Sequence, residues 1–386
     1  MREVDRRKIW VRAGGRCAMC GEYLLDGDIG SPATTVGEAA HIKGKRRGRG
    51  GSNGGSSRSA RHEFLLPGED PDDPDNVVLL CRSHHSQVDA EVNAGTIDVE
   101  TLRGIKTLHE RRTRQATAMA IADPTVVLRV IGDLYGDTVQ CSRLEATGAC
   151  MRSGERRPDF ALALDHASVE CDLRGLPGEE NGTVEYFRTA CDAIDELVAG
   201  KLRDGILRDR IGHVSVFGFA RLPVLVYFGA QLGDAVSSDI YQRSRLTESW
   251  DWNDTADRAG FEVDAPIASE DADAVLLLNV SGTIQRGELP TALRAMPIYE
   301  LRTDIATAAD ANVIRSRDDL KRFQQVLYEL LGRVEERHKH VRSLHLVAAV
   351  PLSAAIAVGQ AINPQVLESI NVYHRMDGTY RSALRL

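Results

Sequence analysis

The spacing of apolar positions changes near residue 120 of the chain. Before this point, the stretch IDVETLRGIKTLHERRTRQ carries apolar residues at helical spacing, which predicts an amphipathic helix. The apolar positions of that helix are Val99, Leu102, Ile105 and Leu108. After the segment AIADPTVV, strand-like apolar runs alternate with helix patterns, which is typical of α/β folds. We therefore predict two domains, at residues 1–122 and 123–386.

The second predicted domain repeats part of its own pattern. HVSVFGFARLPVLVYFGAQLG at 213–233 resembles SLHLVAAVPLSAAIAVGQAIN at 343–363, and Gly229 and Gly359 stand at equivalent places. Each stretch joins a strand-like run, a turn with Pro and a helix of small apolar residues. This order predicts two β-α-β units, each with parallel strands and a right-handed crossover. The predicted pseudo-repeats span about residues 125–270 and 271–386.

The match continues beyond the helices, where IYQR at 240–243 corresponds to VYHR at 372–375. Parallel sheets bind ligands at the carboxyl ends of their strands, next to helix N-termini that favour anions. Two such units would form a pseudo-symmetric receptor for a ligand with two or more phosphates.

Composition narrows the class of protein. The chain of 386 residues is too long for one ordinary core, and its 42% hydrophobic and 27% charged content fits a globular protein. No apolar run reaches the ~18 residues that a membrane helix needs, so we expect no membrane contact. The start MREVDRRKIW has no apolar signal-peptide core, and we expect a cytoplasmic protein.

The net charge of −8 is unevenly distributed, because residues 1–115 carry +2 and the remainder carries −10. Basic residues cluster in a segment rich in Gly and Ser directly after His41. They include Lys43, Lys45, Arg46, Arg47 and Arg49. This segment is either a solvated insert or a flexible arm that binds DNA phosphates.

Two short knuckles predict a structural zinc site. Cys17 and Cys20 form a Cys-x-x-Cys pair, and Cys81 and His84 form a Cys-x-x-His pair. Three sulfurs and one nitrogen make a closed tetrahedral shell that suits zinc and leaves no position for water or substrate. The other four cysteines, scattered between 141 and 191, are interpreted as buried thiols.

The second histidine of the HH pair predicts a separate site. Neighbouring side chains on a helix point about 100° apart, so His85 faces away from His84. Asp89 lies four residues later and shares the face of His85. The pair is either a bidentate site for a divalent cation or an ordinary surface pair.

The order His41, Asn76, His85, together with the two knuckles, resembles the HNH nuclease family, whose fold is a ββα-metal motif. The resemblance covers roughly residues 8–115. It implies that His41 is the general base, that Asn76 orients the base and its loop, and that His85 binds the catalytic metal, with Asp89 as a possible second ligand. The metal, Mg²⁺ or a similar divalent cation, would stabilise charge on the scissile phosphate.

The chain departs from many relatives at one position. Where they carry a metal-binding Asp before the catalytic His, this chain has Ala40. Glu38 lies two residues earlier, so on a strand its side chain faces the same way as that of Ala40. Glu38 either reaches the catalytic metal, directly or through water, or is solvated.

The region from about 125 to 386 is similar to SAVED domains, which consist of two fused CARF-like halves; the ending VYHRMDGTYRSALRL also matches. An HNH domain followed by a SAVED domain resembles effectors of CBASS, a bacterial anti-phage system. The resemblance implies a receptor for a cyclic oligonucleotide made by a cGAS-like nucleotidyltransferase. Its ligand, on family grounds a cyclic dinucleotide such as a cGAMP isomer, would switch on indiscriminate cleavage of double-stranded DNA.

Candidate ligand contacts combine cations for phosphates with flat rings for bases. They are Arg221, Tyr241, Arg243, Arg245, Trp250, Trp252, Tyr373 and Arg375. For Trp250 and Trp252, packing in a core or an interface is the competing interpretation. Tyr380 is a weaker candidate that could equally be a core residue.

Two other functions compete with a ligand-gated nuclease. One is a constitutive restriction-type HNH nuclease, which the acidic balance after residue 115 disfavours because DNA readers usually present a basic face. The other is a non-catalytic zinc module that binds nucleic acid, which has no need of a general base. One nuclease site makes one nick, so we predict a homo-oligomer, a dimer or a higher assembly on activation, that pairs HNH domains.

Overall fold

The computed structural model of the chain forms two compact units, Met1–Ile121 and Ala122–Leu386. The residues it describes are 1–26, 34–35, 37–43, 65–66, 68–90, 93, 96–134, 141–159, 169–208, 210–253, 258–267, 270–304, 313–362 and 368–386. Within these ranges, none of the helices combines the length and the apolar character of a membrane span.

The first unit contains a strand pair followed directly by a helix. Its helices are α1 (Glu3–Arg12), α2 (Arg82–Asp89) and α3 (Val99–Ala120). Its strands are β1 (Leu25–Asp26), β2 (Thr34–Thr35), β3 (Gly37–His41) and β4 (Val77–Cys81). β3 and β4 pair antiparallel, with His41 opposite Val77 and Gly37 opposite Cys81. β3, β4 and α2 thus form the ββα unit that the resemblance implied.

The core of the first unit is built around β4, whose run VVLLC is buried at every position. Both α1 and α2 pack against this strand, and Ala40 of β3 is fully buried beside it. α3 begins where the Asp98 side chain accepts a hydrogen bond from the backbone of Thr101. The predicted amphipathic helix is confirmed, but its apolar face is buried unevenly, since Leu102 is buried and Leu108 is exposed.

The second unit is a two-sheet α/β structure. Its helices are α4 (Arg143–Arg152), α5 (Val184–Asp195), α6 (Arg203–Leu207), α7 (Leu222–Leu232), α8 (Arg317–Arg337) and α9 (Leu352–Ala361), with a π-helical segment at Glu196–Leu202 joining α5 to α6. Its strands are β5 (Pro124–Ile131), β6 (Arg157–Asp159), β7 (Val169–Asp172), β8 (His213–Phe219), β9 (Ser237–Tyr241), β10 (Phe261–Asp264), β11 (Asp273–Asn279), β12 (Ile298–Thr303), β13 (Ser343–Ala349), β14 (Ser369–Met376) and β15 (Thr379–Arg385).

The first sheet has the order β6-β5-β8-β9, with β7 also pairing with β5, and all its pairs are parallel. The second has the order β10-β12-β11-β13-β14-β15, with a parallel centre and an antiparallel strand at each edge. The predicted β-α-β units are confirmed as β8-α7-β9 and β13-α9-β14. β10 precedes the boundary placed at about 270 but belongs to the second sheet, because it pairs antiparallel with β12.

The two halves of the second unit meet where α7 and α9 touch through their backbones. A Cβ added to Gly229 would lie 2.1 Å from the carbonyl oxygen of Ile356, and one added to Gly359 would lie 2.0 Å from that of Val226. Only glycine permits this approach at either position. The two glycines at equivalent places in the repeat therefore mark the helix crossing that joins the halves.

Candidate metal centres and ligand-binding face

Four side chains of the first unit form a compact donor cluster. One donor atom from each of Cys17, Cys20, Cys81 and His84 lies within 4.8 Å of all the others. The Nδ1 atom of His84 is 3.1 Å from Sγ of Cys81 and 3.7 Å from Sγ of Cys17. Cys17 follows α1, Cys81 ends β4 and His84 lies in the first turn of α2, so the cluster joins three parts of the fold.

The chemistry of these donors fits a metal ion. Burial opposes ionisation of Cys17, but hydrogen bonds from the backbones of Cys20, Cys81 and Met19 outweigh it and lower the pKa of the Cys17 thiol. Burial, with repulsion from Cys17, raises the pKa of Cys81 to about 11. Three crowded sulfurs ionise together only when a cation compensates their charge. The set of three sulfurs and one nitrogen is the one that zinc prefers.

His85 lies in a different cluster from its neighbour His84. Its Nδ1 atom contacts Oε2 of Glu38, and its Nε2 atom is 3.3 Å from Oδ2 of Asp89. β3 supplies Glu38, and α2 supplies both other residues. In the part of the chain that the structure describes, only the cysteine cluster brings three such donors within 4.8 Å of one another. The donors around His85 are therefore more widely spaced.

His41, the last residue of β3, is half-buried and contacts a carboxylate that the sequence did not single out. Its Nε2 atom is 3.1 Å from Oδ1 of Asp72. The segment EDPDDPDN offers several acidic residues, and no spacing rule distinguishes Asp72 among them.

Asn76 holds the chain on both sides of this contact. Its side-chain oxygen accepts a hydrogen bond from the backbone of Lys43 at 2.8 Å. Its Nδ2 atom donates to the carbonyl oxygens of Pro71 at 3.0 Å and Lys43 at 3.2 Å. The amide thus ties the residues after His41 to the segment that carries Asp72.

The basic segment that was predicted to bind DNA is described only at its start. Lys43 is half-buried, and its backbone is held by Asn76. The remaining candidates lie outside the described residues; they are Lys45, Arg46, Arg47 and Arg49.

Arg221, at the start of α7, is buried, and its guanidinium is held by neighbouring groups. Its Nη1 atom is 3.0 Å from Nε2 of His374 on β14, and Nη2 donates to the carbonyl oxygens of Glu179 and Glu180. Burial of the ring and, to a smaller extent, the positive charge of Arg221 lower the pKa of His374 to about 4. The neutral ring therefore accepts this hydrogen bond. In the structure the guanidinium joins the two halves, and a ligand contact of Arg221 stays a prediction. It also lines a cavity of about 600 Å³ with Asp133 and other residues.

In the other half of the repeat, the residue equivalent to His374 also bonds the start of a helix of the opposite half. Gln242, which corresponds to His374 in the repeat, accepts a hydrogen bond from the backbone of Ser353 at 3.0 Å through Oε1. Ser353 lies in the first turn of α9. The residue after β9 therefore binds the N-terminus of the opposite helix, as His374 does.

The three aromatic candidates on and after β9 lie in the core. Tyr241 stacks on Phe217 with ring centroids 4.5 Å apart, and Trp250 packs edge-on against Phe217 at 5.3 Å. Trp252 is only 8% exposed. Core packing was the competing interpretation for Trp250 and Trp252, and base stacking by Tyr241, Trp250 and Trp252 stays a prediction. Tyr380 is also buried, as its alternative interpretation stated.

The remaining ligand candidates lie nearer the surface. Arg245 and Arg375 are exposed, and Arg375 forms a salt bridge with Glu288 at 2.7 Å. Arg243 is half-buried, 3.5 Å from Glu248. The hydroxyl of Tyr373 is 3.0 Å from Nδ1 of His345. Thus the strand ends after β9 and in β14 do present cations.

A family model for the SAVED domain, described as "SMODS-associated and fused to various effectors sensor domain", matches residues 194–386, half of the chain. The chain belongs to the SAVED family. A second model, described as "HNH endonuclease", matches residues 17–92, the range that contains both histidine clusters. The predicted fold class, an HNH domain followed by a SAVED domain, is therefore confirmed.

Solved structures similar to this SAVED protein include Cap4 SAVED/CARF-domain containing receptors. The receptor of Acinetobacter baumannii with the cyclic trinucleotide 2'3'3'-cAAA is 12% identical with a TM-score of 0.43, and the match covers 74% of this chain and 61% of that chain. The receptor of Moraxella osloensis is 11% identical with a TM-score of 0.37, over 84% of this chain and 67% of that one. The chain thus spans 61% of the Acinetobacter receptor. No curated protein matches it.

Proposed function

We propose that this protein is a metal-dependent endonuclease whose HNH domain is switched on when its SAVED domain binds a cyclic oligonucleotide. One observation carries the nuclease assignment. Adjacent imidazoles of α2 lie in different clusters, His84 among three thiols and His85 between the carboxylates of Glu38 and Asp89. A module that only binds nucleic acid needs the first cluster and has no use for the second.

The two clusters suit different metals. Cys17, Cys20, Cys81 and His84 would hold zinc, which ties the turn after α1 to β4 and α2. Glu38, His85 and Asp89 would hold Mg²⁺ or a similar cation, because oxygen-rich donor sets suit hard divalent ions. When bound, that cation supplies positive charge to the scissile phosphate and the leaving oxygen.

His41 would act as the general base. Because its Nε2 atom contacts Asp72, its Nδ1 atom is the one left to accept a proton from the attacking water. The water oxygen forms a bond to phosphorus and the bond from phosphorus to the leaving oxygen breaks. That oxygen takes a proton from solvent, and His41 returns its own proton to solvent. Asn76 keeps His41 and Asp72 in register by binding the backbone on both sides.

The combination of an HNH domain with a SAVED domain also supports a proposal for the substrate, the ligand and the assembly. We propose that double-stranded DNA is cut without sequence preference in the bacterial cytoplasm, as an anti-phage response of the CBASS type. The activator would be a cyclic oligonucleotide, with cyclic dinucleotides such as cGAMP isomers favoured. Homo-oligomerisation of liganded chains would bring two HNH domains onto one duplex.

Plasmid degradation tests this function. Purified protein with Mg²⁺ is given a panel of cyclic di- and trinucleotides, and the wild type is compared with His41→Ala. We expect one ligand class to trigger degradation and His41→Ala to lower the rate by roughly 10²- to 10⁴-fold. Degradation of similar rate without any ligand would instead indicate a constitutive nuclease.

A further inference from the structure

A cleft in the first unit, between the end of α1 and one face of α3, is rich in positive charge. Its volume is about 830 Å³, and its cationic lining residues are Arg12, Arg103, Lys106, Arg111 and Arg114. We call it the α3 groove. Only two acidic side chains, Asp75 and Glu110, share the lining.

Two of the five cations form ion pairs with acidic residues of the groove. The other three indicate that the groove binds a negatively charged ligand. Arg12 bonds Asp75 at 2.7 Å, and Lys106 contacts Glu110. Arg103, Arg111 and Arg114 are exposed and form no salt bridge with any residue of the described ranges. The groove therefore keeps a local excess of three positive charges.

The three arginines lie on one side of α3, within about 80° of one another around the helix axis. Arg103 and Arg114 are eleven residues apart, so about 16 Å of helix separates them at 1.5 Å per residue. Successive phosphates of one DNA strand advance about 3.4 Å along the duplex axis, so this length corresponds to about five phosphates. Arg112, by contrast, points to the opposite side of α3, about 180° from Arg103.

The groove adjoins the catalytic segment. Asp75, which lines it, directly precedes Asn76, whose side chain holds the backbone after His41. A strand lying along the α3 groove would therefore run close to the general base.

We propose that the α3 groove binds the phosphate backbone of double-stranded DNA and holds it beside the catalytic site. The proposal rests on the proposed nuclease function and adds a binding surface separate from the basic segment after His41. Arginine suits this role because its planar guanidinium pairs with phosphate oxygens bidentately.

Binding is tested apart from cleavage in full-length His41→Ala protein, by fluorescence anisotropy of a labelled 30-base-pair duplex over a series of salt concentrations. The triple variant Arg103→Gln/Arg111→Gln/Arg114→Gln should bind on the order of 100-fold more weakly near 0.15 M salt. The slope of log K against log salt should fall by about 2.7, since each phosphate contact contributes about 0.9.

Two control variants test whether the loss of binding comes from the three groove arginines. Arg112→Gln changes an exposed arginine on the opposite face of the same helix, and it should leave affinity and slope unchanged. Replacing the three groove arginines by lysine keeps the charges, so it should restore the salt slope but only part of the affinity, since lysine cannot pair bidentately. A circular dichroism spectrum of the triple glutamine variant that matches the parent's excludes a folding defect.

The outcomes separate the two proposals. If the triple glutamine variant matches Arg112→Gln, or if the parent protein does not bind the duplex, the α3 groove assignment is wrong whether or not the wild type cleaves DNA. If the triple variant loses salt-dependent binding while no ligand activates the wild type, the groove stands and the proposed gating fails.

Discussion

The two units of this protein are organised by different means. In the first, α1, β4 and α2 are joined by a cluster of three thiols and one imidazole beside a small aliphatic core. In the second, a continuous apolar core runs through both sheets, and two helices meet through main-chain atoms at Gly229 and Gly359. A small domain that cannot bury enough surface depends on a few donor atoms, whereas a large one depends on packing.

Removing one donor from the first unit should have the largest effect. Cys81→Ser deletes one donor of the proposed zinc site at the junction of β4 and α2, and structural zinc sites contribute folding energy directly. We expect bound zinc to fall from about one ion per chain to near zero, with cleavage abolished and the first unit digested by protease. Elemental analysis and limited proteolysis measure this.

Cys191→Ser provides the matched control, because Cys191 is a half-buried thiol of the second unit outside the cluster. It should keep the zinc. Normal zinc content in Cys81→Ser would contradict the assignment.

The stability of the second unit should depend most on the crossing of α7 and α9. Gly359→Ala places a Cβ 2.0 Å from the carbonyl oxygen of Val226, so α7 and α9 must separate. We expect a loss of about 3 kcal/mol or more in the free energy of unfolding of this unit, measured by urea denaturation, with zinc content unchanged. Gly332→Ala in α8 meets nothing within 4 Å and should be neutral or slightly stabilising. Equal effects of the two variants would argue against a main-chain contact.

Within the first unit, substitutions of the neighbouring residues His84 and His85 should have different effects. His85→Ala should keep zinc and thermal stability while lowering metal-dependent cleavage by more than about 100-fold, because its imidazole leaves the Glu38–Asp89 cluster. His84→Ala should lose zinc and fold together. The idea of two separate metals fails if both variants show the same phenotype.

Asp72→Asn should have a smaller effect, of roughly tenfold to 100-fold on the cleavage rate. The amide keeps the size of the side chain but removes the carboxylate that orients His41 through Nε2. Single-turnover rates and DNA affinity are measured together, and we expect the rate constant to fall while the affinity stays unchanged. A change in affinity alone would assign Asp72 to substrate binding.

The smallest predicted effect is a pH dependence of the second unit. The pKa of His374 is lowered to about 4, against about 6.5 in an unfolded chain. Between these values the unfolded chain binds a proton that the folded one does not, so stability is full above about pH 6.5 and falls as the pH drops towards 4. Wild type should lose a few more degrees of melting temperature between pH 7 and 4.5 than His374→Gln.

His340→Gln is the control for this measurement, since His340 is 68% exposed and should leave the wild-type dependence in place. Identical pH profiles for wild type and His374→Gln would show that the buried ring does not govern the titration.

The metal-binding elements of the first unit could be predicted because their chemistry has fixed spacing. Cys17, Cys20, Cys81 and His84 come from two short knuckles, and the separation of His84 from His85 follows from helix geometry. Asp72 could not be predicted, since it reaches His41 through a turn whose path no residue pattern encodes.

In the second unit, the repeat predicted the strands and the paired glycines, but not which side chains face solvent. Tyr241 and Trp250 lie beside basic residues and resemble a binding motif, yet both pack on Phe217. Arg221 lies at a strand end, as ligand contacts often do, but its guanidinium is used by His374 and two carbonyl groups. Tertiary packing determined these roles.

The crossing of α7 and α9 limits how the sensor can move. At Gly229 and Gly359 the two helices meet through main-chain atoms, so no side chain at this point can absorb a displacement. We therefore expect α7 and α9 to shift together at this point rather than independently.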